Sequence, residues 1–224
     1  GGDRDGNPNV TARVTEEVLL LSRWKAADLY LKDVIALIDE LSMTVCDDIL
    51  RELSGGAHEP YRAVLRPLRE QLRGVLAAIE AELEGQPGDL GDSTLNVEQL
   101  WLPLHTCYQS MINCGMEAIA NCALLDLLRR VQCFGVHLVR HDIRQDSGRH
   151  TQVLYELTSY LGLGDYDQWD ESTRQAFLLQ ELQGMRPLIP ARWQPGEDVQ
   201  EVLDSCAVIS RTAPEALGAY VISM

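Results

Sequence analysis

The sequence predicts a mostly α chain that also carries β-barrel strands, an α/β architecture with large helical insertions between the strands. Three observations predict it. Apolar residues recur at spacings of three and four over much of the 224 residues, the mark of amphipathic helices. Helix, glycine and strand follow one another in "CALLDLLRRVQCFGVHLVRHDIRQD", the alternation of an α/β fold. The closing "AYVISM" is again apolar with strand character. Strands so far apart in sequence need partners. Parallel strands of one TIM-barrel-like barrel meet that need and turn the charged residues at their ends toward the barrel mouth.

The elements follow in order. From Thr11 to Met43, apolar residues including Val14, Val18, Leu21, Trp24, Leu31, Val34, Ile38 and Leu41 trace one face of a long helix, with Asn9 as its cap after Pro8. Asp47 and Asp48 open a shorter helix that "SGG" at 54–56 closes. A second long helix follows Pro60 and runs to about Glu84, where "GQPGDLGDS" over 85–93 makes a surface loop without catalytic duty. Helical pattern returns over 96–113, and again from Asn121, read as a cap, until Gly135. Past the ionic strand, 147–161, 170–182 and 197–210 read as three more helices. Barrel strands are expected near 1–3, 137–145 and 218–224. Because neither end resembles a natural terminus, 1–224 reads as an internal portion of one larger domain.

Charge and composition narrow the function. Nineteen Lys and Arg against 34 Asp and Glu leave a net charge of −15. That balance argues against nonspecific binding to nucleic acid or membrane surfaces, so an anion site has to be built locally. No apolar run approaches the roughly 20 residues of a membrane span, and the N-terminus lacks a signal peptide's basic and apolar regions, so the expected location is cytoplasmic. Six cysteines without a C-x-x-C pair read as buried thiols.

The strand "LVRHDIRQD" is unusual in having one ionic face. With side chains alternating, Arg140, Asp142 and Arg144 point one way and Val139, His141, Ile143 and Gln145 the other. One reading is a solvated face of mutually supporting charges. The other is an anion site, in which two arginines fork onto a phosphate and Asp142 fixes their rotamers. "GGDRDGNPN" at the start likewise reads either as a plain loop or as a glycine-rich turn that brings backbone close to a ligand.

Together these stretches resemble a known family. "GGDRDGNPNVT", "LLSRWKAADLYLKD", "CFGVHLVRHDIRQDSGRH", "YLGLGDY" and "AYVISM" occur in the order found in bacterial-type phosphoenolpyruvate carboxylase, across the whole chain. The resemblance implies a mostly helical enzyme built around a β-barrel. It implies Mg²⁺ or Mn²⁺ as cofactor, with ligands outside this chain, and carboxylation of phosphoenolpyruvate by bicarbonate to oxaloacetate and phosphate. It also implies a cytoplasmic homotetramer under effector control.

Position by position, the resemblance implies that Arg144 contacts the substrate phosphate. Arg140 and Arg4 would also bind substrate, Asp142 would orient Arg144 or line the site, and Gly1, Gly2, Asp3 and Asp5 would line it from the glycine-rich strand end. Glu181 and Arg186 match a segment at a subunit contact. The family's "TAHPTE", "GYSDS" and "GRGG" segments do not occur here, so the chain alone is expected to be inactive. The competing reading is a noncatalytic helical interaction domain on the same fold. A third is another enzyme using phosphoenolpyruvate in a related barrel.

Overall fold

The computed structural model describes residues 2–4, 7, 9–86, 95–185 and 187–224. Helix dominates, as the apolar spacing predicts. Most of the 85–93 loop lies outside the described residues. The chain divides into two compact units, residues 17–140 and residues 1–16 with 141–224.

The first unit is helical. It holds most of α1 (Ala12–Glu40), then α2 (Asp48–Leu53), α3 (Pro60–Leu83), α4 (Val97–Asn113), α5 (Glu117–Ala120) and α6 (Ala123–Phe134). Local chemistry sets the ends. The Asp47 carboxylate accepts from the Leu50 N–H at 3.0 Å to start α2, and Gly55 and Gly56, at φ +63° and +73°, turn the chain after it. Asn96 and Gln99 cap α4 reciprocally. Leu37, Leu65, Leu72, Ile79, Leu104 and Val131 are among its fully buried side chains, each contributing about 1.5–3 kcal/mol of burial.

Three expectations change here. Asn121 is not the cap of α6, which starts after Cys122; its side-chain oxygen accepts instead from the Tyr108 hydroxyl at 2.9 Å. The short helix α5 occupies a stretch where no apolar period was visible. Only Cys107 of the six free cysteines is buried, whereas Cys122, Cys133 and Cys206 are exposed.

The ionic strand also starts later than expected. After Gly135, Val136 and Leu138 turn back to pack on the helical core. Leu138 takes a left-handed φ of +65° and the Val139 N–H bonds the His137 carbonyl at 2.7 Å. A chain turning this tightly is not extended, so β1 runs only over His141–Asp146.

The second unit is built on parallel pairing. β1 pairs with β2 (Leu217–Ser223), and Asp3 forms a further parallel bridge with Arg144. The Arg144 N–H and carbonyl both engage residues 2 and 4, so the N-terminal segment lies on one edge of β1 and β2 on the other. Parallel neighbours need a long crossover. Between β1 and β2 it is supplied by α7 (Ser147–Tyr160), α8 (Glu171–Gln183) and α9 (Glu197–Arg211). Arg149 of α7 meets Asp198 of α9 at 2.7 Å. The cap of α1 is Thr11, not Asn9: its hydroxyl accepts from the Val14 N–H at 3.3 Å. The first turn of α1 is tied to α9 by the Ala12 N–H on the Glu201 carboxylate and by Glu16 with Arg211 at 2.7 Å.

Candidate functional site

Arg144 sits in the middle of three parallel segments. Its N–H donates to the Gly2 carbonyl at 2.8 Å, and its own carbonyl accepts from the Arg4 N–H at 3.1 Å. Bridge partners in a sheet project to the same face, and the Asp3 carboxylate accordingly lies 3.8 Å from the Arg144 guanidinium. Both side chains are half-exposed, at 44% for Arg144 and 60% for Asp3. In β1, Ile143 and Gln145 are buried while Asp142 and Arg144 are exposed. The period-two reading of Arg144 therefore holds.

The glycine-rich start has a steric purpose at Gly2. A Cβ there would stand 2.0 Å from the Asp142 carbonyl oxygen and 3.2 Å from the Ile143 side chain. Only a residue without a side chain lets the segment come near enough to β1 to bond Arg144 on both sides.

Asp142 does something other than fix arginine rotamers. From His141 to Ile143 the register advances two residues on β1 but three on β2, from Leu217 to Tyr220, which is a bulge in β2. The Asp142 carboxylate accepts from the Ala219 N–H of that bulge at 2.8 Å. A Cβ at Gly218 would meet the same carboxylate oxygen at 2.0 Å. The acidic neighbour of Arg144 is thus Asp3.

Arg4 lies on the other face. It is only 8% exposed, and its guanidinium donates to the Thr15 hydroxyl at 2.7 Å. Burial lowers its pKa from the ordinary arginine value, with the Glu201 carboxylate pulling in the opposite direction. Arg140 precedes β1 and belongs to the helical unit, so it is not part of the strand face that carries Arg144. Gly1, Asp5 and Arg186 lie outside the described residues. Glu181 sits near the end of α8. Burial also lowers the pKa of His141, at the head of β1.

Thr15 and Glu201 were not visible as site residues from sequence. Thr15 carries no motif beyond its place four residues after Thr11, and Glu201 is far away in the chain. Among the described residues, no group of three or more His, Cys, Asp or Glu side chains could hold a metal ion, and no helix is long and apolar enough to cross a membrane.

The family described as Phosphoenolpyruvate carboxylase matches residues 1–224. The chain is 58% identical over 224 residues to phosphoenolpyruvate carboxylase of Aliivibrio salmonicida and to that of Vibrio atlanticus. It is 57% identical over 230 residues to that of Pectobacterium carotovorum. Each match takes in 100% of this chain and 26% of the relative, so the chain spans about a quarter of the length of these proteins.

Proposed function

The chain belongs to the phosphoenolpyruvate carboxylase family, and from that premise we propose that it forms an internal part of an enzyme that carboxylates phosphoenolpyruvate with bicarbonate, giving oxaloacetate and phosphate. The observation that carries this reading is Arg144. Its guanidinium is half-exposed, its backbone is bonded on both sides by the glycine-rich segment, and its counter-charge Asp3 stands at a loose 3.8 Å.

In this reading Arg144 holds the substrate phosphoryl group. That group passes to a bicarbonate oxygen, which leaves carboxyphosphate and the enolate of pyruvate. Carboxyphosphate then yields phosphate and CO₂, and the enolate carbon attacks the CO₂. A fixed guanidinium stabilises the anionic charge carried on the phosphoryl oxygens through these steps. Arg140 is a further substrate contact, and Asp142 and Gly2 shape the site from the backbone side. The ligands of the Mg²⁺ or Mn²⁺ would lie outside this chain, since among the described residues no group of three or more His, Cys, Asp or Glu side chains could hold it.

The N-terminal segment, β1 and β2 are adjacent parallel strands, which supports reading them as successive strands of a TIM-barrel-like barrel with the helical unit as an insertion. A homotetramer with Glu181 and Arg186 at a subunit contact has support in α8. That helix buries no residue, and Leu179, Leu182 and Met185 stand exposed on it and just after it. Effector control and a cytoplasmic setting belong to the same proposal.

Arg144→Ala and Arg144→Lys in the complete enzyme test the reading. Loss of a charge-assisted hydrogen bond at a desolvated site is worth about 1.5–3 kcal/mol, or roughly 10- to 150-fold in kcat/KM for alanine. Lysine keeps the charge but loses the fork, so it should lose less. Near-normal turnover in Arg144→Ala, or loss of activity only through unfolding, would make the charged strand a structural ladder.

A further inference from the structure

Resting on that reading of Arg144, we propose that Arg4 is a positioning residue: its guanidinium, anchored on Thr15, seats the strand that holds the Arg144 backbone, and it acts on phosphate binding without touching the substrate. Adjacent residues of an extended segment point to opposite faces. Asp3 is beside Arg144, so Arg4 is turned away from it, into the interior where Thr15 is 2% exposed.

Two short links run through Arg4. Its side chain donates to the Thr15 hydroxyl at 2.7 Å, and its own backbone N–H donates to the Arg144 carbonyl at 3.1 Å. Thr15 is itself fixed, in the first turn of α1, with its hydroxyl 3.2 Å from the Thr11 carbonyl. That turn is held to α9 by Glu201 and Arg211. A buried charge is costly unless it is compensated, and because Nε and Nη1 of Arg4 are buried without a hydrogen-bond partner among the described residues, the Thr15 bond is the side-chain hydrogen bond that fixes the guanidinium. Moving it drags the N–H that bonds Arg144. Misplacement of a binding group by about 1 Å costs on the order of 100-fold in rate, so small movements matter.

The test uses the complete enzyme and two readouts, KM for phosphoenolpyruvate and the inhibition constant of inorganic phosphate as a probe of the phosphate site. Thr15→Val removes the hydroxyl at nearly constant shape, and Thr15→Ser keeps it. Thr15→Val should raise both constants in parallel by about tenfold, the size of one charge-assisted bond, and Thr15→Ser should restore them. Arg4→Met should raise both at least as far, and the double variant should be no worse than Arg4→Met alone.

Two results would overturn the proposal. If Arg4→Met weakens phosphate inhibition while Thr15→Val leaves it unchanged, Arg4 touches the anion directly. If either variant lowers the melting temperature but leaves both constants unchanged in the folded enzyme, its role is structural only. Should Arg4→Met fail to fold, the comparison of Thr15→Val with Thr15→Ser still decides. Arg144→Ala, run alongside, separates the premise from the proposal: unchanged phosphate inhibition there would sink the reading of Arg144 itself.

Discussion

The Asp142 carboxylate accepts a hydrogen bond from the Ala219 N–H at 2.8 Å, at the one place where β1 and β2 fall out of step. The bulge leaves a β2 backbone donor without its ladder partner, and the aspartate supplies the missing acceptor. Asp142→Asn keeps an acceptor oxygen and should leave stability nearly unchanged. Asp142→Ala should cost about 1–2 kcal/mol, the value of a lost bond to a charged group on an exposed strand. Denaturant unfolding of the two variants checks this, and equal losses would show that charge rather than bulge geometry is what Asp142 contributes.

Gly2→Ala places a methyl group 2.0 Å from a backbone carbonyl, and a carbonyl cannot swing aside as a side chain can. The segment has to move away from β1, and its bond to the Arg144 N–H goes with it. The expected loss in kcat/KM of the complete enzyme is on the order of 100-fold. Steady-state kinetics within twofold of the parent would contradict the close approach as described.

Asp47 links the helical unit to pH. Burial works against its charge, but hydrogen bonds from the Leu50 N–H and the Asn113 amide outweigh it, and its pKa falls below the ordinary aspartate value. A carboxyl lowered by folding contributes stability above its unfolded pKa, near 3.9, and loses it as pH falls through the folded value. Asp47→Ala should therefore cost about 1 kcal/mol at neutral pH, as for other lost caps, with the gap narrowing below about pH 4. A gap that stays constant from neutral pH down to about pH 3 would rule this linkage out.

Leu182 is 82% exposed on a helix with no buried residue. If α8 lies at the proposed subunit contact, Leu182→Glu in the complete enzyme should shift its assembly toward smaller species in sedimentation velocity without unfolding it, because the substitution removes apolar contact area and introduces a charge that is costly to bury. An unchanged sedimentation coefficient would count against the proposed subunit contact at α8.

The helices were legible because their information is local. Spacing, caps such as Asn96 and closing glycines such as Gly55 lie within a few residues of what they determine. Arg144 was legible for the same reason, since period two holds from Ile143 to Gln145. The bond that Asp142 makes was not legible, because a bulge on a strand some 75 residues later brings the Ala219 N–H to its carboxylate. The start of β1 was not legible because Leu138 is drawn back to the helical core. Arg4 was least legible of all: an Asp-Arg-Asp run among glycines suggests solvent, and the groups that bury its arginine come from Thr15 and from α9.

The links from Ala12 to Glu201 and from Glu16 to Arg211 span 189 and 195 residues, whereas the helical unit is continuous from Glu17 to Arg140. Contacts at such separations carry a large loop-closure cost. On a ribosome the helical unit has all of its own residues long before α9 emerges, and the first sixteen residues of the chain must wait for it. Pulse-labelled hydrogen exchange during refolding should show protection of Leu65 and Leu104 ahead of Arg4 and Arg144. The segment that bonds the Arg144 backbone on both sides precedes the helical unit in the chain, and is then set in place after it.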